Sequence, residues 1–299
     1  MNKLTITAAV KSGKRLVSDG AWGTFLQQNG LQSGECPELW NLTHPDVVRE
    51  IARSYINAGS DMIETNSFGG TVFKLAHFGL ADQVSAINEA AASLSREIAG
   101  DAHWVIGSVG PTGKMLVMGD VTGDELYDAF KTQVVALEKG GADAICIETM
   151  SDIDEALAAV RAAKENTRLE VICTFTFDAI AENEYRTMMG ISPAEAALAC
   201  AEAGADIIGT NCGNGMKNMI NIVAQMRAVV PDAPILVHAN AGLPKLLNGE
   251  IVYPETPEQM RKLVPQIIGA GANIIGGCCG TAPAHIAVIK EVIHKRLNN

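Results

Sequence analysis

Short runs of β-branched and apolar residues recur along the whole chain, each closing in a polar or glycine-rich turn. They alternate with alanine-rich segments whose apolar positions fall at helical spacing. The runs are RLVSDG (15–20), DMIETN (61–66), WVIGSVG (104–110), AICIET (144–149), EVICTFTF (170–177), DIIGTNCG (206–213), ILVHANAG (235–242) and NIIGGCCG (273–280). Their nearly continuous apolar character is that of strands buried on both faces, as in a parallel sheet. Between them lie helix-start signals. Ser192, Pro193 and Glu195 stand as N-cap, first helical residue and capping-box acid, and Thr256, Pro257 and Gln259 repeat the pattern. Eight such units in 299 residues predict a (β/α)8 TIM barrel, one domain over residues 1–299, with an open doubly wound sheet as the alternative.

A partial internal repeat agrees with the barrel. NAGSDMIETN (57–66), GGADAICIET (140–149), AGADIIGTN (203–211) and AGANIIGG (270–277) introduce the second, fourth, sixth and eighth strands. In each, a glycine is expected to stop a helix in the left-handed region, and the Asp or Asn that follows to begin the turn into the strand. Duplication and shared turn chemistry both account for the pattern.

Composition narrows the function. With 47% hydrophobic residues the chain can bury a substantial core, and a net charge of −11 argues against nucleic acid or an anionic membrane as partner. No signal-like or membrane-spanning run is present, so a soluble, cytoplasmic protein is expected. Seven cysteines, an odd and scattered set, suit reduced thiols better than a disulfide framework.

Sites in such barrels collect at the C-terminal strand ends. Here those ends offer Asp19-Gly20, Glu64-Thr65-Asn66, Gly110-Pro111-Thr112, Glu148-Thr149, Asn211-Cys212, Asn240 and Cys278-Cys279. Adjacent residues of a regular strand point to opposite faces, so Cys278 and Cys279 can converge only where Gly276, Gly277 and Gly280 let the strand break. Cys212 should reach them across the barrel mouth. Three thiolates select zinc and leave a fourth tetrahedral position open. The competing reading, a buried Cys212 beside a vicinal disulfide, is weaker for three cysteines all placed in glycine turns. Cys36, Cys146, Cys173 and Cys200 are assigned to packing.

Zinc with three thiolates is a poor Lewis acid toward carbonyls but a good holder of a further thiol, whose pKa it lowers. The chemistry expected is attack of a substrate sulfur on an alkyl group. Glu148 suits a substrate ammonium, and the N–H groups of the DGAWGT turn (19–24) suit a carboxylate, which together describe an amino acid bearing a thiol. Glu64 reads equally well as an interior structural acid. His238 shares a strand face with Asn240 and is read chiefly as structural, and His285 is expected to face solvent.

DGAWGTFLQ, ETNSFGG, GPTG, IETMSDIDEA, GTNCGNG, HANAGLP and GGCCGTAPAHI together resemble the homocysteine-binding domain of the homocysteine S-methyltransferases, over about Leu16 to His294. ELWNLTHPDVV, ETNSFGG and NAGLP are most similar to the cobalamin-dependent methionine synthase branch. The resemblance implies a zinc-bearing barrel that methylates homocysteine to methionine. It implies Cys212, Cys278 and Cys279 as zinc ligands, and Asn240 as a neighbour able to fill the open position before homocysteine arrives. It implies Glu148 at the homocysteine ammonium, Asp19, Gly20 and Ala21 near its carboxylate, and Asn66 and Thr112 in the pocket.

Trp22 departs from the family pattern; it could stack on a donor or narrow the site, or it could simply pack the barrel end. The chain stops after one barrel, so cobalamin is expected on a separate small corrinoid protein. The segments GPTGKMLVMGDVTGDELYDAF and TFDAIAENEYRTMMGI could cover the site, meet a partner or simply connect. Two other functions are carried: a corrinoid-linked demethylase acting on an ether or quaternary amine, and a non-catalytic zinc or thiol-binding scaffold.

Overall fold

The structure, a computed structural model, describes residues 3–247 and 250–297. All eight expected strands form: β1 (Leu16–Val17), β2 (Met62–Glu64), β3 (Trp104–Val109), β4 (Ala144–Met150), β5 (Glu170–Phe175), β6 (Ile207–Gly215), β7 (Ile235–Asn240) and β8 (Ile274–Gly277). They lie in one parallel sheet in the order β1, β8, β7, β6, β5, β4, β3, β2. Pairing of the first strand with the last, Leu16 against Ile274, is closure, and it excludes the open sheet.

Between β1 and β2 the ladder is replaced in part by side chains. Asp61 N–H donates to Val17 O at 2.7 Å, and Asp61 Oδ2 accepts from Val17 N–H at 2.8 Å. Higher up, where β1 has ended, Asp19 Oδ2 accepts from Glu64 N–H at 2.8 Å. The Asp19 carboxylate therefore does at this seam what main-chain carbonyls do elsewhere in the barrel.

The internal repeat has a physical meaning beyond turn formation. Asp61, Asp143, Asp206 and Asn273 each donate their N–H to the start of the preceding odd strand, at Val17, Val105, Val171 and Ile235. Their side-chain oxygens accept from the N–H of those same residues at 2.8, 2.8, 2.8 and 2.9 Å. A cation also binds each clamp: Lys290 on the other oxygen of Asp61, and Lys3 with Arg96 at Asp143, Lys164 at Asp206 and Arg227 at Asn273 on the oxygen that already accepts the strand N–H. The glycines before them, Gly59, Gly141, Gly204 and Gly271, all have positive φ as expected.

Asn273 fills the role without a charge, so the hydrogen bond rather than the ion pair should dominate. Asp206→Ala should cost about 1–3 kcal/mol in urea unfolding, because it orphans the Val171 N–H, while Asp206→Asn should cost under about 1 kcal/mol. Equal losses in the two variants would contradict the clamp.

A first helix, α1 (Ile6–Lys11), closes the barrel floor, burying Ile6, Ala9 and Val10 against strand residues such as Met62, Trp104 and Ile172. Both expected capping boxes, Ser192 with Glu195 and Thr256 with Gln259, are present. Two antiparallel hairpins were not legible: Asp178–Ala181 with Glu184–Arg186, and Lys245–Leu247 with Glu250–Val252. Their strands bury little and so lack an alternating core face. Among the described residues no helix is long and apolar enough to cross a membrane.

Candidate functional site

β6 brings Asn211 inward, and regular alternation would turn Cys212 away. It does not, because Cys212 adopts φ 57° and Gly213 φ 67°, and the register with β7 shifts between Asn211 and Gly215. A non-glycine residue in the left-handed region carries strain, and here it aims a thiol at the barrel mouth. β8 ends in Gly276 and Gly277, where an added Cβ would lie 2.7 Å from Asp19 O and 2.3 Å from Thr281 Oγ1. The following turn stays tied to β7 through Cys278 N–H to Ala239 O at 2.8 Å and Ala241 N–H to Cys279 O at 3.0 Å. Gly280, at φ 77°, completes the break predicted from the glycines.

Cys212 Sγ and Cys279 Sγ are 3.9 Å apart, and the three sulfurs of Cys212, Cys278 and Cys279 lie within 4.8 Å of one another. Zinc with bonds of about 2.3 Å to tetrahedrally placed sulfurs spaces them about 3.8 Å apart, so the three can hold such an ion with small adjustment. All three cysteines are partly exposed, and none is paired in a disulfide here. Hydrogen bonds from Cys212 and Cys278 pull the Cys279 thiol down to about 3, while the same exchange of hydrogen bonds holds Cys278 well above its usual value. The cluster thus favours one thiolate, at Cys279, while Cys212 and Cys278 are both held toward the protonated form. Asn240 ends β7, between the two strands that carry the cysteines. Its Oδ1 is buried with no hydrogen-bond partner, an orphan of the sort a ligand satisfies.

Beside the thiols lies a cavity of about 250 Å³ lined by Trp22, Leu26, Phe68, Glu64, Asn66, Ser108 and Glu148 among others. That is just under the roughly 300–1,000 Å³ of pockets for drug-sized ligands, and suits a small metabolite. Glu148 accepts from Ser108 Oγ on one oxygen and from Asn211 Nδ2 at 3.0 Å on the other. Burial pushes its carboxyl up to about 7 even so. No lysine or arginine is among the described lining residues, so the acid awaits a positive charge from outside.

At the first turn, Asp19 accepts from Glu64 N–H and from Trp22 Nε1 at 2.9 Å, and burial raises it to about 7. Gly20 is required by packing: a Cβ there would sit 2.8 Å from both Thr281 Oγ1 and Tyr55 Cε1. Ala21 N–H donates to Thr281 Oγ1 at 3.1 Å, so that donor is engaged. Trp22 lines the cavity while packing into the main core, and its indole N–H donates to Asp19.

The structure does not gather every expected residue. Asn66 lines the cavity, but its amide donates to Pro37 O and Asn41 Oδ1 at 2.8 and 3.1 Å. Thr112 is not on the wall: its N–H and Oγ1 hold Glu155 at 2.7 and 2.5 Å. His285 is buried rather than solvent-facing, accepting Ala282 N–H at 3.1 Å and lying 3.0 Å from Glu255 O, because it caps the final helix's first turn.

Two residues, Ser108 and Tyr253, escaped the sequence reading, and Asn211 was placed at a strand end without a role. Ser108 and Asn211 orient Glu148 from neighbouring strands. The Tyr253 ring packs over Gly280, where an added Cβ would meet it at 2.2 Å, and its hydroxyl helps lower the Cys279 thiol.

The family model described as homocysteine S-methyltransferase matches residues 16–293. The chain is 32% identical over 298 residues to a methionine synthase of Mycobacterium tuberculosis (strain ATCC 25618 / H37Rv), covering 95% of this chain and 25% of that protein. It is 32% identical over 294 residues to the Mycobacterium leprae (strain TN) methionine synthase, covering 93% and 24%. The chain therefore spans about a quarter of the length of these curated relatives. Among solved structures, the metallated form of homocysteine methyltransferase MmuM from Escherichia coli shares the fold at TM-score 0.77 and 24% identity, covering 95% of this chain and 98% of that one. Its oxidized form matches at TM-score 0.74 and 25% identity, covering 93% and 95%.

Proposed function

Because the chain belongs to the homocysteine S-methyltransferase family, we propose that it methylates homocysteine to methionine at a zinc site, taking the methyl group from methylcobalamin on a separate corrinoid protein. One observation carries the reading: three thiols converge at the mouth of a small cavity whose other wall is acidic. Cys212, Cys278 and Cys279 would hold the zinc, with the free Oδ1 of Asn240 on the strand between them. When bound, such an ion lowers the pKa of a thiol beside it and makes a nucleophile available at neutral pH.

Glu148 receives the substrate ammonium, held in place by Ser108 and Asn211. The Asp19-Gly20-Ala21 turn shapes the carboxylate end, with donors other than the engaged Ala21 N–H. Trp22, Leu26 and Phe68 keep water from the sulfur. The substrate sulfur forms its bond to the methyl carbon as the donor-to-methyl bond breaks, and that electron pair stays with the donor.

Exposed Val117, Met118, Ile180, Met188, Leu246 and Ile251 lie in the segments after β3, β5 and β7, around the same rim. Apolar side chains exposed on these three segments support a donor delivered by a protein rather than free in solution. Zinc-loaded protein given homocysteine and methylcobalamin should form methionine, followed by mass. No methionine from any donor, together with methylation of cob(I)alamin by a methyl ether, would replace this reading with the demethylase.

A further inference from the structure

Two buried groups beneath the cavity are left over by this mechanism. Glu64 is 7% exposed and lines the cavity, and its Oε1 has no hydrogen-bond partner. His238 is 1% exposed, with Nδ1 3.5 Å from that same oxygen and Nε2 unpartnered. A carboxylate oxygen of Glu148 and one of Glu64, with a ring nitrogen of His238, lie within 4.8 Å of one another. Three acceptors so spaced can all be reached from a single nitrogen at hydrogen-bond distance, about 2.9 Å. A primary ammonium carries three N–H donors.

The charges point the same way. Glu64, Glu148 and Asp19 face one another from β2, β4 and the turn after β1, with Cys146, Tyr55 and His238 packed around them and no cationic side chain among the described residues lining the cavity. Buried acids without a partner are costly unless a ligand brings the missing charge.

We propose that Glu64 and His238 join Glu148 as a three-acceptor seat for the substrate's primary ammonium group, which restricts the site to thiols bearing an unsubstituted amine. The inference rests on the homocysteine reading and adds two binding residues and a specificity rule to it. An N-methylated amine loses one donor and adds bulk, and a des-amino thiol leaves the acids unpaired.

Calorimetry on zinc-loaded protein with homocysteine and 4-mercaptobutyrate, its des-amino analogue, tests this. Wild type should prefer homocysteine strongly. Glu64→Gln and His238→Leu should each cut that preference by about tenfold or more without weakening 4-mercaptobutyrate binding. Unchanged homocysteine affinity in both variants overturns the seat, as does an equal loss for the two thiols, which would mark a structural role. A second inorganic ion per chain, lost in Glu64→Gln and required for homocysteine binding, assigns the seat to a metal and also overturns it. A wild type that binds neither thiol removes the functional reading, and this one with it.

Discussion

Cys279→Ala is expected to lose bound zinc and to lower methyl transfer to homocysteine by at least about a thousandfold, roughly 4 kcal/mol of transition-state stabilisation. Two thiolates cannot replace the three-thiolate set that makes the site selective and closed on three sides. The fold should survive, since Cys279 is partly exposed on the rim and its main-chain bond to Ala241 does not involve the thiol. Cys200→Ala is the control: Cys200 is 1% exposed inside the helix Pro193–Glu202, so its loss should reduce stability slightly and leave the metal in place. Zinc by mass spectrometry and stability by urea unfolding separate the two. Retention of one zinc per chain by Cys279→Ala would place the metal elsewhere.

Glu148→Gln should weaken homocysteine binding by about a hundredfold while making the ligand-free protein relatively more stable as pH rises. Burial lifts the Glu148 carboxyl from 4.5 to about 7, so the folded protein holds this proton more tightly than the unfolded chain. Its contribution is complete below about 4.5 and is withdrawn as pH climbs through about 7. Glutamine has no proton to lose. The stability of the variant relative to wild type should therefore increase across that window, by up to about 3 kcal/mol. Comparing the two proteins pH by pH cancels the opposing contributions of His238, lowered to about 4, and Cys279. A difference that stays flat, or falls with pH, would mean that Glu148 is already charged without a ligand.

The barrel was legible because its strands are compact β-branched runs that stop at glycine or polar turns, a local signal that burial on both faces amplifies. The thiol triad was legible for a related reason, since Gly276, Gly277 and Gly280 announce where β8 gives way. Local signals fail where the determining contact joins distant strands. Nothing near Cys212 gives its left-handed φ, although Gly213 and Gly215 hint at a bulge. Ser108 reads as an ordinary strand residue, and Asn211 as a strand end without a role, until β3, β4 and β6 lie side by side. Tyr253 belongs to no motif, and its place over Gly280 depends on how a hairpin returns to the rim. Thr112 went the other way: its position after β3 suggested a pocket residue, but Glu155 from the next helix claims it.

Asp19 joins two properties that barrels usually keep apart. One oxygen of its carboxylate closes the seam to β2 through Glu64 N–H and also holds the Trp22 indole against the cavity. Ligand occupancy and barrel closure are therefore thermodynamically linked at a single side chain. A cation entering the cavity favours the charged form of Asp19, the form that accepts both hydrogen bonds more strongly, so the first and second strands are drawn together by the same event that fills the pocket.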